Sequence, residues 1–385
     1  MGWDKLIGLE REKQLLQKAV LSNKIASAYL FYGNEGIGKK AMALQFAKTI
    51  NCENPIIDRD RNLIDSCEAC MSCRMMNNLS HPNLHLIFSL PAGKSTEAKS
   101  DNPLNKLDDK QILELQLQIE KLAANPYHRF ILSGAHTIKI DQIRDLKKKI
   151  ALSSAQKGKS FVIIFNAEEM TRESANAFLK TLEEPNENTH IILITSQKDS
   201  ILDTILSRTQ LFYLHTPTIE EISSGLISKF KIEPSRAQVI AALSNGSISS
   251  ALGQLEKEFV DLRSELVDIL RVALRKKNYR IELIERIDKL IKENDSREII
   301  SALLLLEFWF RDALYYSKSK ELLKIINLDM KEVIERFVSN ITNYDYNEAI
   351  KLIEKSINLI KKNVNIQLIL VNLYLGLRAL WHKFY

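Results

Sequence analysis

The sequence predicts an α/β domain followed by all-α domains, and three observations predict it. First, the stretch before Pro234 alternates apolar strand-like runs with amphipathic segments. Second, all eight prolines fall at or before Pro234, and residues 235–385 hold only three glycines, so that part reads as helix throughout. Third, all four cysteines lie between positions 52 and 73, which marks an inserted module.

In chain order, Ala28–Tyr32 reads as a strand, Gly33–Lys40 as a loop and Lys39–Ile50 as a helix with Ala43, Phe46, Ala47 and Ile50 at helical spacing. The loop, Gly-Asn-Glu-Gly-Ile-Gly-Lys-Lys, follows the phosphate-binding pattern G-x-x-x-x-G-K-[ST] except at its last position. Lys40 stands where a Ser or Thr hydroxyl would hold Mg²⁺, and an ammonium has no lone pair to offer a metal. Residues 84–88 read as a second strand, and 91–110 as a polar mobile loop. Residues 139–152 form an amphipathic helix, and 161–165 are a continuous apolar run suited to a buried central strand. The 171–183 segment is a helix with Ala175, Phe178, Leu179 and Leu182 on one face and Thr171 as its cap; 191–195 is a further strand.

Composition restricts the function classes. At 45% hydrophobic and 26% charged residues, the chain falls among globular proteins rather than disordered ones. A net charge of +6 permits nucleic-acid contact without requiring it. No apolar run reaches the ~18 residues of a membrane span, so no membrane partner is expected and the expected location is cytoplasmic.

The spacing C-x14-C-x2-C-x2-C offers Cys52, Cys67, Cys70 and Cys73 as four thiolates, the donor set of a closed structural Zn²⁺ site within a module at about 51–80. His81 and His85 are expected on the surface, since four sulfurs already fill the shell.

A nucleotide-hydrolysing site of this kind also needs a strand ending in Asp with Glu beside it. Residues 161–165 are that strand, but Asn166 and Ala167 follow, and Glu168 and Glu169 are displaced. With Lys40, the metal hydroxyl, the metal carboxylate and the base are all missing, so Mg²⁺ binding and intrinsic ATPase activity are not expected. Gly33, Gly36, Gly38 and Lys39 either cradle a phosphate of ATP or ADP at the helix N-terminus or form a purely structural turn; the residues leave both open.

Several stretches carry a resemblance. Gly33–Lys39, the four cysteines, Asn176-Ala-Phe-Leu-Lys-Thr-Leu-Glu-Glu-Pro185, Ile205-Leu-Ser-Arg-Thr209 and Asn363-Val-Asn-Ile-Gln-Leu368 together resemble the bacterial AAA+ clamp-loader family, its delta-prime type above all. The resemblance covers the whole chain. It implies a RecA-like AAA+ domain at 1–215, a helical lid domain at 216–254 and a collar oligomerisation domain at 255–385. Partners implied are gamma/tau and delta subunits, the beta sliding clamp through the complex, and primed DNA. Ser207 and Arg208 match the family's Ser-Arg-Cys motif, with Thr209 in place of Cys, and Arg208 is implied as an arginine finger supplied in trans. Thr195 matches a polar sensor, and Ser249 stands where ATP-binding relatives place a sensing Arg.

Lys139, Arg144, Lys147, Lys148 and Lys149 cluster on one helix and read either as DNA-phosphate contacts or as a solvated face. Ile366, Leu368, Ile369, Leu370, Leu373, Leu375 and Leu377, with 303–310, suit either core or a collar interface. Two further functions fit some of these features: an ATP-hydrolysing gamma/tau-type subunit, and a zinc-dependent DNA-binding module.

Overall fold

The computed structural model describes residues 2–58, 60–92, 102–153, 158–186, 188–255, 259–294, 296–319, 325, 327, 330–341, 343–362 and 364–382. The chain forms two compact units: residues 1–221 with 246–250, and residues 222–245 with 251–385.

Among the described residues, the first unit is built on nine strands: β1 Ala28–Tyr32, β2 Ile56–Asp58, β3 Leu63–Asp65, β4 Leu84–Ile87, β5 Leu90–Pro91, β6 Ala135–Thr137, β7 Ser160–Ile164, β8 Thr189–Thr195 and β9 Gln210–Tyr213. Five make a parallel sheet in the order β4-β7-β8-β1-β9. Helix α1 Glu10–Leu21 precedes β1; parallel strands need crossovers, and the later helices supply them: α2 Lys39–Ile50, α3 Met71–Asn77, α4 Asp109–Ala124, α5 Ile140–Ser153, α6 Arg172–Glu183 and α7 Asp203–Leu206. Every residue of β7 and β8 is buried, as their unbroken apolar runs demand. Fully burying each Ile or Val in them is worth about 1.5–3 kcal/mol. Tyr29, Phe46 and Phe161 stack edge to face at 5.8–6.1 Å and key α2 to the sheet. The loop between β1 and α2 is thereby held at the carboxyl end of the sheet. Thr171 caps α6 by accepting from the Ser174 N–H, as its position before an apolar periodic run predicts.

Two expectations need correction. Of the polar stretch 91–110, residues 93–101 lie outside the described set, but the rest is ordered structure: a 3-10 turn at Pro103–Lys106, then the start of α4. Asp108 and Gln111 form a reciprocal capping box there. His81 and His85 are half-buried rather than on the surface. His81 bonds Ser72 at 3.1 Å and accepts from the Asn83 N–H, while burial holds the pKa of His85 below its usual value.

The second unit is helical: α8 Ile219–Phe230, which begins in the first unit, α9 Pro234–Leu243, α10 Ile248–Leu255, α11 Phe259–Ala273, α12 Tyr279–Glu293, α13 Ser296–Ser319, α14 Lys331–Asn340, α15 Tyr346–Lys361 and α16 Ile366–His382. Leu303, Leu306, Trp309 and Phe310 of α13 are fully buried, and Trp309, Phe310, Phe337 and Tyr344 form an aromatic cluster. In α16 the structure makes the division that spacing leaves open: Ile369, Leu370, Leu373 and Leu377 are core, whereas Leu368 and Leu375 are exposed. Asn363, at the head of this stretch, lies outside the described residues. Among the described residues no helix is long and apolar enough to cross a membrane.

Candidate nucleotide loop, cysteine cluster and arginine site

The β1–α2 loop is closed by its own chain. Lys39 is buried, and its ammonium donates to the Gly33 carbonyl at 2.7 Å, the Asn34 carbonyl at 2.5 Å and Ser196 Oγ at 3.0 Å. Three protons thus meet three acceptors. Burial lowers the Lys39 pKa to about 8 against the attraction of Glu168 and Glu35. Gly36 takes a positive φ of 77°, and its carbonyl accepts the Ser249 N–H at 3.0 Å. Ser249 Oγ donates to the Tyr127 carbonyl at 2.6 Å, and the Tyr127 hydroxyl accepts the Ile7 N–H at 2.7 Å. Asn34 Nδ2 donates to Thr216 Oγ1 at 2.7 Å. The turn 246–250 therefore belongs to the first unit and packs directly on the loop.

Lys40 turns its ammonium over the Phe165 ring, 5.1 Å from the centroid, and burial lowers its pKa to about 8. At the end of β7, Asn166 sits in the left-handed region with φ 49° and donates its amide to Glu169 Oε1 at 2.9 Å. The other Glu169 oxygen accepts from Ser89 Oγ. Ala167 is buried, and Glu168 accepts the Ser196 N–H at 3.4 Å. The displaced acids are thus engaged in local structure. Thr195 is fully buried and caps the following turn, accepting from the Gln197 N–H at 2.9 Å. Ser196 is the residue of that strand end that meets Lys39. Sequence reasoning missed it, and its position one residue after Thr195 was the only signal.

The four cysteine sulfurs lie within 4.8 Å of one another. A tetrahedral Zn²⁺ with ~2.3 Å bonds spaces its sulfurs about 3.8 Å apart, so the set needs only a small contraction to fit. The N–H groups of Cys67, Cys70 and Cys73 donate to the sulfurs of Cys52, Cys67 and Cys70 at 3.2–3.4 Å. Such donors stabilise thiolates: the amides of Cys70 and Ala69 bring Cys67 down to about 6. Cys73 is pushed well up by burial and by the neighbouring sulfurs. A cation among the four would relieve that repulsion.

Arg208 and Ser207 follow α7 on an exposed turn. Arg208 is held within the chain: its Nε donates to Glu183 Oε1 at 2.7 Å and its Nη1 to the Thr204 carbonyl at 3.0 Å and Ser207 Oγ at 3.2 Å. Lys139, Arg144 and Lys148 are exposed on or beside α5, Lys149 pairs with Asp145 at 2.7 Å, and Lys147 turns back to donate to the Ala177 carbonyl at 2.6 Å. Lys147 is thus a helix-packing contact between α5 and α6, and the structure separates it from the other candidates.

A parallel sheet feeding a loop of the phosphate-binding pattern at its carboxyl edge, without the hydroxyl and carboxylate that hold a metal, defines an α/β protein with an altered phosphate-type loop. A sequence profile of the family described as "DNA polymerase III, delta subunit" matches residues 8–218, more than half of the chain. The DNA polymerase III subunit delta' of Bacillus subtilis is 26% identical over 91% of this chain and 90% of its own length. That of Haemophilus influenzae is 26% identical over 85% and 82%. The tau subunit of B. subtilis is 24% identical over 92% of this chain and 57% of its own length. A gamma subunit-related protein of Thermotoga maritima, a solved structure, is 18% identical over 78% of this chain and 95% of its own, with a TM-score of 0.32. The chain belongs to the delta-prime-type clamp-loader subunits of the DNA polymerase III family.

Proposed function

We propose that this chain is a non-hydrolysing delta-prime-type subunit. It helps load the beta sliding clamp on primed DNA as part of a hetero-oligomer with gamma/tau and delta subunits. Residues 1–215 would be its AAA+ domain, 216–254 its lid and 255–385 its collar. Arg208 would act in trans, its planar and permanently charged guanidinium stabilising the phosphoryl group transferred at a neighbour's ATP. The observation that carries the reading is Asn166: where an ATPase places a metal-holding carboxylate, an amide is bonded to Glu169. Lys40 over Phe165 removes the metal hydroxyl in the same site. The cysteine cluster would hold one structural Zn²⁺ through Cys52, Cys67, Cys70 and Cys73, fixing the fold of the module without an open position for substrate.

The test is reconstitution with gamma/tau- and delta-type partners. The expected result is a defined complex in which Arg208→Ala slows hydrolysis at the neighbouring ATP site by ~10³-fold or more and so lowers the DNA-dependent ATPase of the complex, while the isolated chain shows none. An unchanged rate sinks the arginine finger. Similarity to the tau subunit along 92% of the chain favours a second reading, an ATP-hydrolysing gamma/tau-type subunit. Mg²⁺-dependent ATPase of the isolated chain, abolished by Lys39→Ala, would establish that reading instead.

A further inference from the structure

Arg208 lies two residues beyond α7, and Glu183 is the last residue of α6. The guanidinium Nε and Nη2 both meet Glu183 Oε1, at 2.7 and 2.5 Å, while Nη1 meets the Thr204 carbonyl and Ser207 Oγ. Four of its five N–H groups are therefore directed at its own chain. The two sets of contacts differ in kind. Thr204 and Ser207 belong to the short segment that carries Arg208, so they hold the side chain to its own turn. Glu183 stands 25 residues away on another helix. Its carboxylate faces the negative end of the α6 dipole, where a cation is its natural partner. Both side chains are open to solvent, at 34% and 46% exposure, so the pair is exchangeable rather than buried.

From this geometry we propose that Glu183 is a positioning residue for Arg208. Its carboxylate holds the guanidinium against the chain's own surface until a more highly charged phosphoryl group displaces it. The proposal rests on the arginine-finger reading above. The exchange is one of charge-assisted partners: a carboxylate oxygen that takes two N–H groups gives way to phosphoryl oxygens that take the same fork with more negative charge. No bond is made or broken. Glu183 thus sets how readily the finger leaves the resting state, and it lowers the rate of the assembled ATPase when nothing else favours the engaged arrangement.

The experiment uses the full chain in the reconstituted complex, with Glu183→Gln and Arg208→Ala measured side by side, with and without primed DNA. Gln keeps an oxygen acceptor and loses the charge. Glu183→Gln is expected to raise kcat without DNA about 2- to 5-fold, the size of an exposed ion pair, and to leave KM for ATP unchanged. In the free chain labelled with ¹⁵N-arginine, the Arg208 Nε–H resonance, assigned through its loss in Arg208→Lys, should exchange with water faster in Glu183→Gln. If Arg208→Ala leaves the ATPase intact, the arginine-finger reading fails and the proposal with it. If Arg208→Ala slows the complex while Glu183→Gln leaves kcat equal or lower, the holding role alone is overturned.

Discussion

Ser249 donates its backbone N–H to the Gly36 carbonyl at 3.0 Å, so the phosphate-type loop is bonded to a turn that lies more than two hundred residues away in sequence. The turn fits closely: a Cβ at Gly36 would stand 2.0 Å from Ser247 Oγ. The loop's φ of +77° at this position also penalises any side chain. Gly36→Ala should therefore destabilise the first unit by about 1–3 kcal/mol, read as a lower denaturation midpoint. Adding Ser247→Gly removes the colliding hydroxyl and should recover the steric part only. Full additivity in that double-mutant cycle would mean that the two residues do not touch.

Lys40 gives a prediction in pH. Burial lowers its pKa from 10.5 to about 8 in the folded chain. Below pH 8 both states are protonated and the folded state bears the cost of the buried charge. Between pH 8 and 10.5 the unfolded chain binds more protons, so stability rises with pH across this window. Lys39, also at about 8, adds a rise of the same sign. Lys40→Met should be more stable than the wild type at pH 7 if the ring contact with Phe165 contributes little. In every case it should show a shallower rise from pH 8 to 10, measured by urea denaturation at each pH. Equal slopes would show that Lys40 is not buried in its charged form.

The cysteine module offers a prediction in metal content. With four sulfurs inside 4.8 Å and burial opposing ionisation at Cys73, the cluster is electrostatically frustrated without a cation. Protein purified without added metal should carry about one Zn²⁺ per chain. Cys73→Ser should lower occupancy and loosen Met71–Asn77, because Cys73 is the buried member of the cluster and the sulfur lost is the one carried within that helix. Hydrogen exchange over residues 52–77 should then quicken while β7 and β8 stay protected. Stoichiometric loss of metal without any change in exchange would remove the structural role.

Strong local signals were legible in the sequence. The glycine pattern between an apolar run and a periodic helix located the loop, and the buried run at 161–165 located β7, because hydrophobic periodicity carries that information directly. Asn166 and Lys40 were legible as departures from a pattern. What escaped was tertiary. Of α4 only Leu122 is buried, so its periodicity faces no core and its cap at Asp108 is hidden in a polar run. Lys147 looked like its neighbours until the Ala177 carbonyl gave it a partner. The same applies to Glu183 beside Arg208, where a separation of 25 residues leaves no local trace.

The basic helix α5 separates two kinds of lysine, and a salt titration tells them apart. Lys139, Arg144 and Lys148 project from the exposed side, whereas Lys147 crosses to α6. If the exposed set meets DNA phosphates in the assembled loader, each lost contact reduces the slope of log affinity against log salt by about 0.9, whatever the DNA sequence. Arg144→Ala also frees Asp141 of a 4.0 Å partner, but Lys106 at 2.6 Å still holds that carboxylate, so the helix end stays intact. Lys147→Ala should leave the slope unchanged and cost about 0.5–1.5 kcal/mol of stability through its lost hydrogen bond. A flattened slope for Lys147→Ala, or an unchanged slope for Lys139→Ala and Arg144→Ala combined, would show that α5 presents a solvated face and that DNA runs elsewhere.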